Sequence, residues 1–320
     1  MPYLPEALNS IFRQSYSDFT LIAIDDGSTD ASLEHLRSVR DSRLRVYSQP
    51  NRGITSTLNR ILELTTTPWL VRQDADDFAY PQRLERTLEF IRRYPEAGMF
   101  HSAANYYPAG KCVGRFRNTT ASPKGLRALT RAGYLLSICH PAVTLNVLKT
   151  RELGGYRFDL SVEDLDLWWR MALTHDIHYI PEVTVGVRTN GGSTCSRNLK
   201  RNSVGALFVQ YLLLSALLNL VPRSYDEVEP VLETLVSVPR LQFRKNIRNM
   251  NIHLGDRHYW RATASGVRAF LWSPPAFVQR VLYEFRKNPV VTYGENPSRF
   301  LRISRRLWPG QSSVLFPLPR

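Results

Sequence analysis

The run Pro68-Trp69-Leu70-Val71-Arg72-Gln73-Asp74-Ala75-Asp76-Asp77 is a short apolar stretch that ends in three carboxylates. Acids this close repel one another unless a cation sits between them, so a divalent metal is their natural partner. Mg²⁺ and Mn²⁺ prefer oxygen ligands and are commonly held by one or two protein carboxylates together with substrate phosphates. Asp74-x-Asp76 supplies such a half-site, although the same pattern also describes a solvated turn. A second acidic group, Asp25-Asp26-Gly27-Ser28-Thr29-Asp30, follows the apolar run Phe19-Thr-Leu-Ile-Ala-Ile24. A third, Glu163-Asp164-Leu165-Asp166, opens a stretch of helical spacing. Part of that last crowding has a simple cause, because carboxylates at a helix N-terminus gain roughly 0.3–1 kcal/mol from the macrodipole.

The elements that must position these acids follow from periodicity. Leu8, Ile11 and Phe12 behind Pro5 predict an opening helix over 5–14. Residues 19–24 predict a buried strand, and Asp30 is placed as N-cap of a helix carrying Leu33 and Leu36. Leu44–Tyr47 predicts a second strand. Asn51-Arg-Gly53 makes a turn, and Ile54, Leu58, Ile61 and Leu62 carry a helix to Pro68. A third strand over 69–72 delivers Asp74; a helix from Pro81 carries Leu84, Leu88 and Ile91; Ala97–His101 is a fourth strand. Repeated strand-helix alternation predicts a largely parallel sheet with helices on both faces, and acids at strand ends mark the carboxyl edge of such a sheet. Residues 105–135 read as an excursion, His140–Leu145 as another strand, and Leu165, Trp168, Trp169 and Ala172 as the core-facing side of a helix.

With 320 residues, 43% of them hydrophobic, the chain can bury a sizeable core, and disorder is not expected. Three cysteines, Cys112, Cys139 and Cys195, without a Cys-x-x-Cys, fit a reducing compartment and argue against a disulfide scaffold or zinc cluster. No basic-then-apolar leader marks secretion. His175 and His178 lack a third ligand nearby and are expected at the surface. Charge is lopsided: residues 1–195 carry 23 Lys+Arg against 21 Asp+Glu, residues 196–320 carry 19 against 7, and the two parts sum to the net +14. A basic tail can attract an anionic bilayer or a phosphorylated substrate; without a nucleic-acid motif, no nucleic acid is expected.

Taken together and in order, Asp25-Asp26-Gly-Ser-Thr-Asp30, Asn51-x-Gly53, Asp74-Ala-Asp76-Asp77 followed by Pro81 and Arg83-Leu84, His140-Pro141, Leu153-Gly-Gly-Tyr156 and Glu163-Asp164-x-Asp-Leu-Trp168 resemble the motifs of the family 2 glycosyltransferases. The resemblance covers about residues 1–195. It implies a GT-A fold, a Rossmann-like mixed α/β sheet with helices on both faces, and transfer of a sugar from a nucleoside-diphosphate donor, usually a UDP-sugar, with inversion. By resemblance, Asp25 and Asp26 contact the uracil or ribose, Asn51 and Gly53 belong to the nucleotide pocket, and Asp74 and Asp76 reach the ribose and a Mn²⁺ or Mg²⁺ ion. Asp164 matches the general base, and Glu163 orients it or binds the acceptor. His140 falls near the acceptor side. The implied acceptor is a carbohydrate or a lipid-linked molecule in polysaccharide, lipopolysaccharide or glycolipid synthesis, and the implied location is the cytoplasm or the inner face of the membrane.

Two departures stand out. Family members begin with a strand ending in a Pro-Val-Tyr-Asn-like loop, whereas this chain opens at the first helix, so the expectation is a start placed too late or a truncated gene with a weakened donor pocket. At Arg188-Thr-Asn190-Gly-Gly-Ser193 the family often has Arg-x-His, and Asn190 cannot titrate as His does. The competing class is therefore a non-catalytic remnant. A metal-dependent phosphoryl or nucleotidyl transferase would share the Asp cluster but leave Glu163 and Asp164 without a role.

A change of pattern after Cys195 divides the expected domains into 1–195 and a basic, mainly helical extension over 196–320. Residues 204–221 are uncharged, the minimum length for a membrane span, yet Gln210, Ser215 and Asn219 favour a packed helix, with an interfacial helix as the alternative. Helices around Val267, Phe270 and Leu271 and around Val281 and Leu282 carry basic faces, with Arg280, Arg286, Lys287, Arg302, Arg305 and Arg306, suited to peripheral membrane contact.

Overall fold

A computed structural model describes residues 2–108, 110–189, 199–285 and 292–308. Its chain groups into two compact units: Met1–Asn105 with Ile138–Asp159 and Asp166–Val187, and Tyr106–Ser137 with Leu160–Leu165 and Arg188–Arg320. The 105–135 excursion thus falls in the second unit with the C-terminal helices. The expected boundary at Cys195 and the Asn190 position lie outside the described residues, as do Arg286 and Lys287.

In the first unit, α1 (Leu4–Phe12) buries Leu8 and Ile11 as their spacing predicts, together with Ala7, whereas Phe12 at its end is half-buried. Strand β1 (Leu21–Asp26) pairs in parallel with β2 (Leu44–Gln49), Asp25 opposite Ser48 and Asp26 opposite Gln49. Between them runs α2 (Ser32–Ser38). Its N-cap is Ala31, not Asp30; the Asp30 carboxylate accepts from the Ser32 N–H at 3.0 Å, closing an Asx-type turn just before the helix. Next come α3 (Gly53–Leu64), β3 (Trp69–Val71), β4 (Phe78–Ala79) and α4 (Arg83–Arg93).

The larger sheet corrects the parallel expectation. Strands β5 (Met99–Pro108), β8 (Val143–Asn146) and β9 (Ile177–Thr189) join β3 and β4 in the order β3-β8-β5-β9-β4. Here β3 and β5 both run antiparallel to β8, and β4 runs antiparallel to β9. Strand-helix alternation reads the same whether a later strand returns parallel or inserts antiparallel between earlier ones, which is what β8 does. The expected strand at His140 begins only at Val143, because His140–Ala142 forms a 3₁₀ turn suited to the fixed φ and missing N–H of Pro141. Between β8 and β9 lie α6 (Val147–Glu152) and α7 (Glu163–Thr174). Leu165, Trp168, Trp169 and Ala172 of α7 are all buried, as their spacing predicts. His178, expected at the surface, instead stacks on Tyr94 with ring centroids 4.0 Å apart.

The second unit holds β6 (Gly114–Arg115), α5 (Pro123–Arg131), β7 (Leu135–Leu136) and the helices α8 (Leu199–Leu217), α9 (Tyr225–Leu235), α10 (Val238–Gly255), α11 (Tyr259–Trp272) and α12 (Pro274–Phe285). It is completed by β10 (Thr292–Tyr293), antiparallel to β7, and α13 (Pro297–Ile303). Helix α8 is this unit's core: every residue from Val204 to Ser215 is buried. Its polar residues are used internally. The Gln210 amide donates to the carbonyls of Gly133 at 3.2 Å and Glu295 at 2.7 Å, and Ser215 Oγ accepts from the Trp308 indole at 3.0 Å. Asn219 takes the left-handed conformation, φ 54°, just past the helix end, so the uncharged stretch is not one continuous helix. Among the described residues, no helix is long and apolar enough to cross a membrane.

His101 of β5 is fully buried against Tyr179, ring centroids 5.0 Å apart, and burial depresses its imidazole to about 3. An unfolded histidine titrates near 6.5, so the unfolded chain binds the extra proton between those values and stability falls as pH drops from 6.5 towards 3. Urea titrations across this range are expected to show His101→Phe flattening the slope relative to wild type, by on the order of 4 kcal/mol at its acid end.

Candidate active site

The acids predicted to do chemistry lie at the ends of β1, at the end of β3 and at the start of α7. At the end of β1 the Asp26 carboxylate accepts the Gln49 amide at 2.7 Å, the Arg52 N–H at 2.9 Å and the Gly53 N–H at 3.0 Å. It thereby takes up N–H groups that α3 leaves unpaired at its amino end. Burial raises the Asp26 pKa, but hydrogen bonds from Gln49, Arg52, Thr57 and Gly53 outweigh it and hold the group below the ordinary aspartate value. Asp25 is buried beside it, accepting from Ser28 N and Ser48 Oγ at 3.4 Å. Asn51 Oδ1 accepts from Gly53 N at 3.2 Å. Gly27, with φ +75°, lies so close to this loop that a Cβ would sit 2.7 Å from the Asn51 nitrogen. Thus Asp25, Asp26, Asn51 and Gly53 form one group.

At the end of β3, Asp74, Asp76 and Asp77 bring one carboxylate oxygen each within 4.8 Å of one another. Hard oxygen donors at that spacing fit Mg²⁺ or Mn²⁺. The turn is tight, with the Asp77 N–H donating to the Asp74 carbonyl at 3.2 Å. Asp77 is buried, whereas Asp74 and Asp76 are half-buried. The sequence pattern names Asp74 and Asp76 as ligands, and the turn adds Asp77 of the same motif to the cluster.

Sequence reasoning also gave no role to the cation that organises this loop. Arg83, at the start of α4, is 2% exposed. It donates to Gln73 Oε1 at 2.7 Å and to the carbonyls of Arg72 at 2.5 Å and Pro141 at 2.7 Å. Burial lowers its pKa to about 10, with Asp77 and Asp74 opposing the fall, so the guanidinium stays charged at neutral pH. Arg72 adds an ion pair to Asp74 at 2.6 Å. One side chain therefore fixes both the acid loop and the His140-Pro141 turn.

From that turn the order propagates. His140 Nε2 lies 3.1 Å from the Tyr156 hydroxyl and its ring meets Trp168 edge-on at 5.5 Å. Desolvation, with Arg72 adding repulsion, holds the imidazole well below its usual range, so it is neutral at physiological pH. The Tyr156 backbone exchanges hydrogen bonds with the Asn59 amide of α3 at 2.8 and 2.9 Å. Gly53, at the head of α3 with φ +81°, faces Asp159, whose carboxylate would be 2.8 Å from a Cβ there.

The α7 acids separate by environment. Asp166 is fully buried, gripped by Arg157 at 2.7 and 2.9 Å, by Arg170 at 2.6 and 2.9 Å and by the Trp169 indole at 3.2 Å. Glu163 is also buried, while Asp164 is half-buried and accepts from the Leu165 N–H at 2.7 Å. Glu163 and Asp164 group with the second unit and Asp166 with the first.

Residues 1–141 match the Glycosyl transferase family 2 family profile. The amylovoran biosynthesis glycosyltransferase AmsE of Erwinia amylovora is 26% identical over 190 residues, covering 58% of this chain and 70% of that protein. Coverage of other relatives is lower, 61% and 29% of their lengths in two bacterial examples. The structure of Staphylococcus aureus TarS residues 1–349 in complex with UDP-GlcNAc superposes with a TM-score of 0.53 at 14% identity, over 84% of this chain and 88% of that one. The mannosyltransferase PcManGT of Pyrobaculum calidifontis in complex with GDP-Man and Mn²⁺ gives 0.50 at 15% identity, over 98% and 81%. The fold is GT-A, with the helical second unit built around α8.

The contrast between neighbouring acids is testable. Removing the carboxylate in Asp166→Ala leaves two arginines uncompensated and is expected to cost about 3–5 kcal/mol in denaturant unfolding. Asp164→Asn, at a half-buried position, is expected to stay within about 0.5 kcal/mol of wild type.

Proposed function

We propose that the chain is a metal-dependent, inverting glycosyltransferase that moves a sugar from a nucleoside diphosphate, UDP foremost, to a hydroxyl acceptor in cell-surface polysaccharide or glycolipid synthesis. The observation that carries this reading is the Asp74-Asp76-Asp77 cluster, pinned at the end of β3 by a buried arginine inside a family 2 segment. The nucleotide sugars in the TarS and PcManGT complexes, the Mn²⁺ in the latter and the polysaccharide named for AmsE support the donor, metal and product classes.

On this reading Asp74 and Asp76, with Asp77 behind them, hold Mn²⁺ or Mg²⁺, which when bound neutralises the departing diphosphate as a Lewis acid. Asp25 offers its carboxylate to the base or ribose, while Asp26, committed to the Gln49–Gly53 loop, positions Asn51 and Gly53 around the nucleotide. Asp164 is the general base: it takes the acceptor hydroxyl proton as that oxygen bonds to the anomeric carbon, and the electron pair of the breaking bond leaves with the diphosphate. Glu163 orients Asp164 or binds the acceptor. The protein works in the cytoplasm, peripherally at the inner membrane face where lipid-linked acceptors reside.

Calorimetric titration of UDP into the 320-residue chain tests the reading. Binding is expected with Mn²⁺ present, to weaken at least tenfold in EDTA, and to vanish in Asp74→Ala/Asp76→Ala. A folded wild-type chain that binds no UDP or GDP with Mn²⁺ would favour a non-catalytic remnant instead.

A further inference from the structure

Helix α11 is amphipathic in an inverted sense. The side it buries is made of small residues, Ala262, Ser265, Gly266 and Ala269, at i, i+3, i+4 and i+7. Its large apolar residues point the other way: Trp260 is 70% exposed and Leu271 71%, with Val267, Phe270 and Trp272 also exposed. Small residues let α11 lie close against α10, where a Cβ on Gly266 would come 3.3 Å from the Met250 sulfur. Helix α12, which packs against α11, continues the pattern with Val278, Val281 and Leu282 exposed. A helix stabilised only by its own unit would place Trp and Leu inward and Ala and Gly outward, and large apolar side chains clustered on a protein surface mark an interaction site.

Charge names the partner. Across α11 and α12, Tyr259 to Phe285, the sequence has three arginines, Arg261, Arg268 and Arg280, against a single acid, Glu284 near the end of α12. Arg261 and Arg268 are exposed on α11 itself, among the apolar residues. Tryptophan with arginine beside an apolar stripe is the composition of a helix lying in the headgroup region, where indoles sit at the interface and cations meet anionic lipid.

We infer that α11, with the adjoining α12, is a membrane-insertion element that seats Trp260, Val267, Phe270 and Leu271 among the lipids of an anionic bilayer, with Arg261 and Arg268 against the headgroups. This differs from simple attraction of a basic tail, because the apolar side chains leave water. It stands independently of the donor chemistry, and its test needs no substrate.

The test is co-sedimentation of the full chain with vesicles of phosphatidylglycerol and phosphatidylcholine, alongside pure phosphatidylcholine, at low and high salt. Binding is expected to the anionic vesicles, with a residual bound fraction in 0.5 M salt, set by the order-of-magnitude loss of screened charge attraction. Tryptophan emission is expected to shift to the blue on binding, and the shift to shrink in Trp260→Phe/Trp272→Phe. The exposed double variant Trp260→Asp/Leu271→Asp is expected to keep the wild-type circular dichroism and lose at least tenfold in partitioning. No binding to anionic vesicles, unchanged partitioning of that variant, or binding wholly abolished by salt would overturn insertion. So would a wild-type chain that sedimentation shows to be a dimer where the variant is a monomer, since the face would then join two copies.

Discussion

A guanidinium buried among carbonyls beside three carboxylates is the constraint on which the candidate site depends. Taking Arg83 out of water costs several kcal/mol, and the cost is offset only while its acceptors stay in place. Those acceptors belong to two separate stretches, Arg72-Gln73 leading into the acid loop and Pro141 in the 3₁₀ turn. Separating the stretches would strand a buried charge, so they move as one piece. The same cation makes the acid cluster tolerable: three carboxylates within 4.8 Å raise one another's energy, and Arg83 behind them and Arg72 on Asp74 lower it without closing the site.

From that anchor, rigidity spreads through short polar contacts. The His140 turn meets Tyr156, the Tyr156 backbone locks to Asn59, and α3 begins at Gly53, whose N–H is held by Asp26. Two acid-bearing loops are therefore linked through an uninterrupted chain of hydrogen-bonded residues in one unit. Asp166 performs a comparable service within α7, but with both its oxygens consumed by Arg157 and Arg170. Burial and saturation thus distinguish Asp166, which holds the fold, from the half-buried Asp74 and Asp164.

Much of this was legible from residue order. Apolar runs ending in acids located β1 and β3, and 3.6-residue periodicity located α1, α3 and the buried face of α7, because those signals are local. Strand direction was not legible: β8 enters between β3 and β5 from some seventy residues downstream of β3, and nothing in Val143–Asn146 records which way its neighbours run. The buried charges were also hidden, since Arg83 and Asp166 look like ordinary surface residues until their partners arrive from Pro141 and Arg157. Gln210 and Ser215 did signal correctly against a membrane span, for a reason the structure supplies: each meets a specific partner inside the second unit. Inversion of α11 was invisible to periodicity alone, which reports that one side is apolar but not which side is covered.

The most direct measurement is Mn²⁺ affinity, read by the paramagnetic resonance signal of free Mn²⁺, in wild type and Arg83→Lys. Lysine keeps the charge but cannot serve Gln73, Arg72 and Pro141 together. The account predicts a folded variant whose Mn²⁺ affinity falls at least tenfold although no carboxylate has been touched. Unchanged Mn²⁺ affinity in a folded Arg83→Lys chain would contradict it, and would mean that the acid loop holds its shape without the arginine.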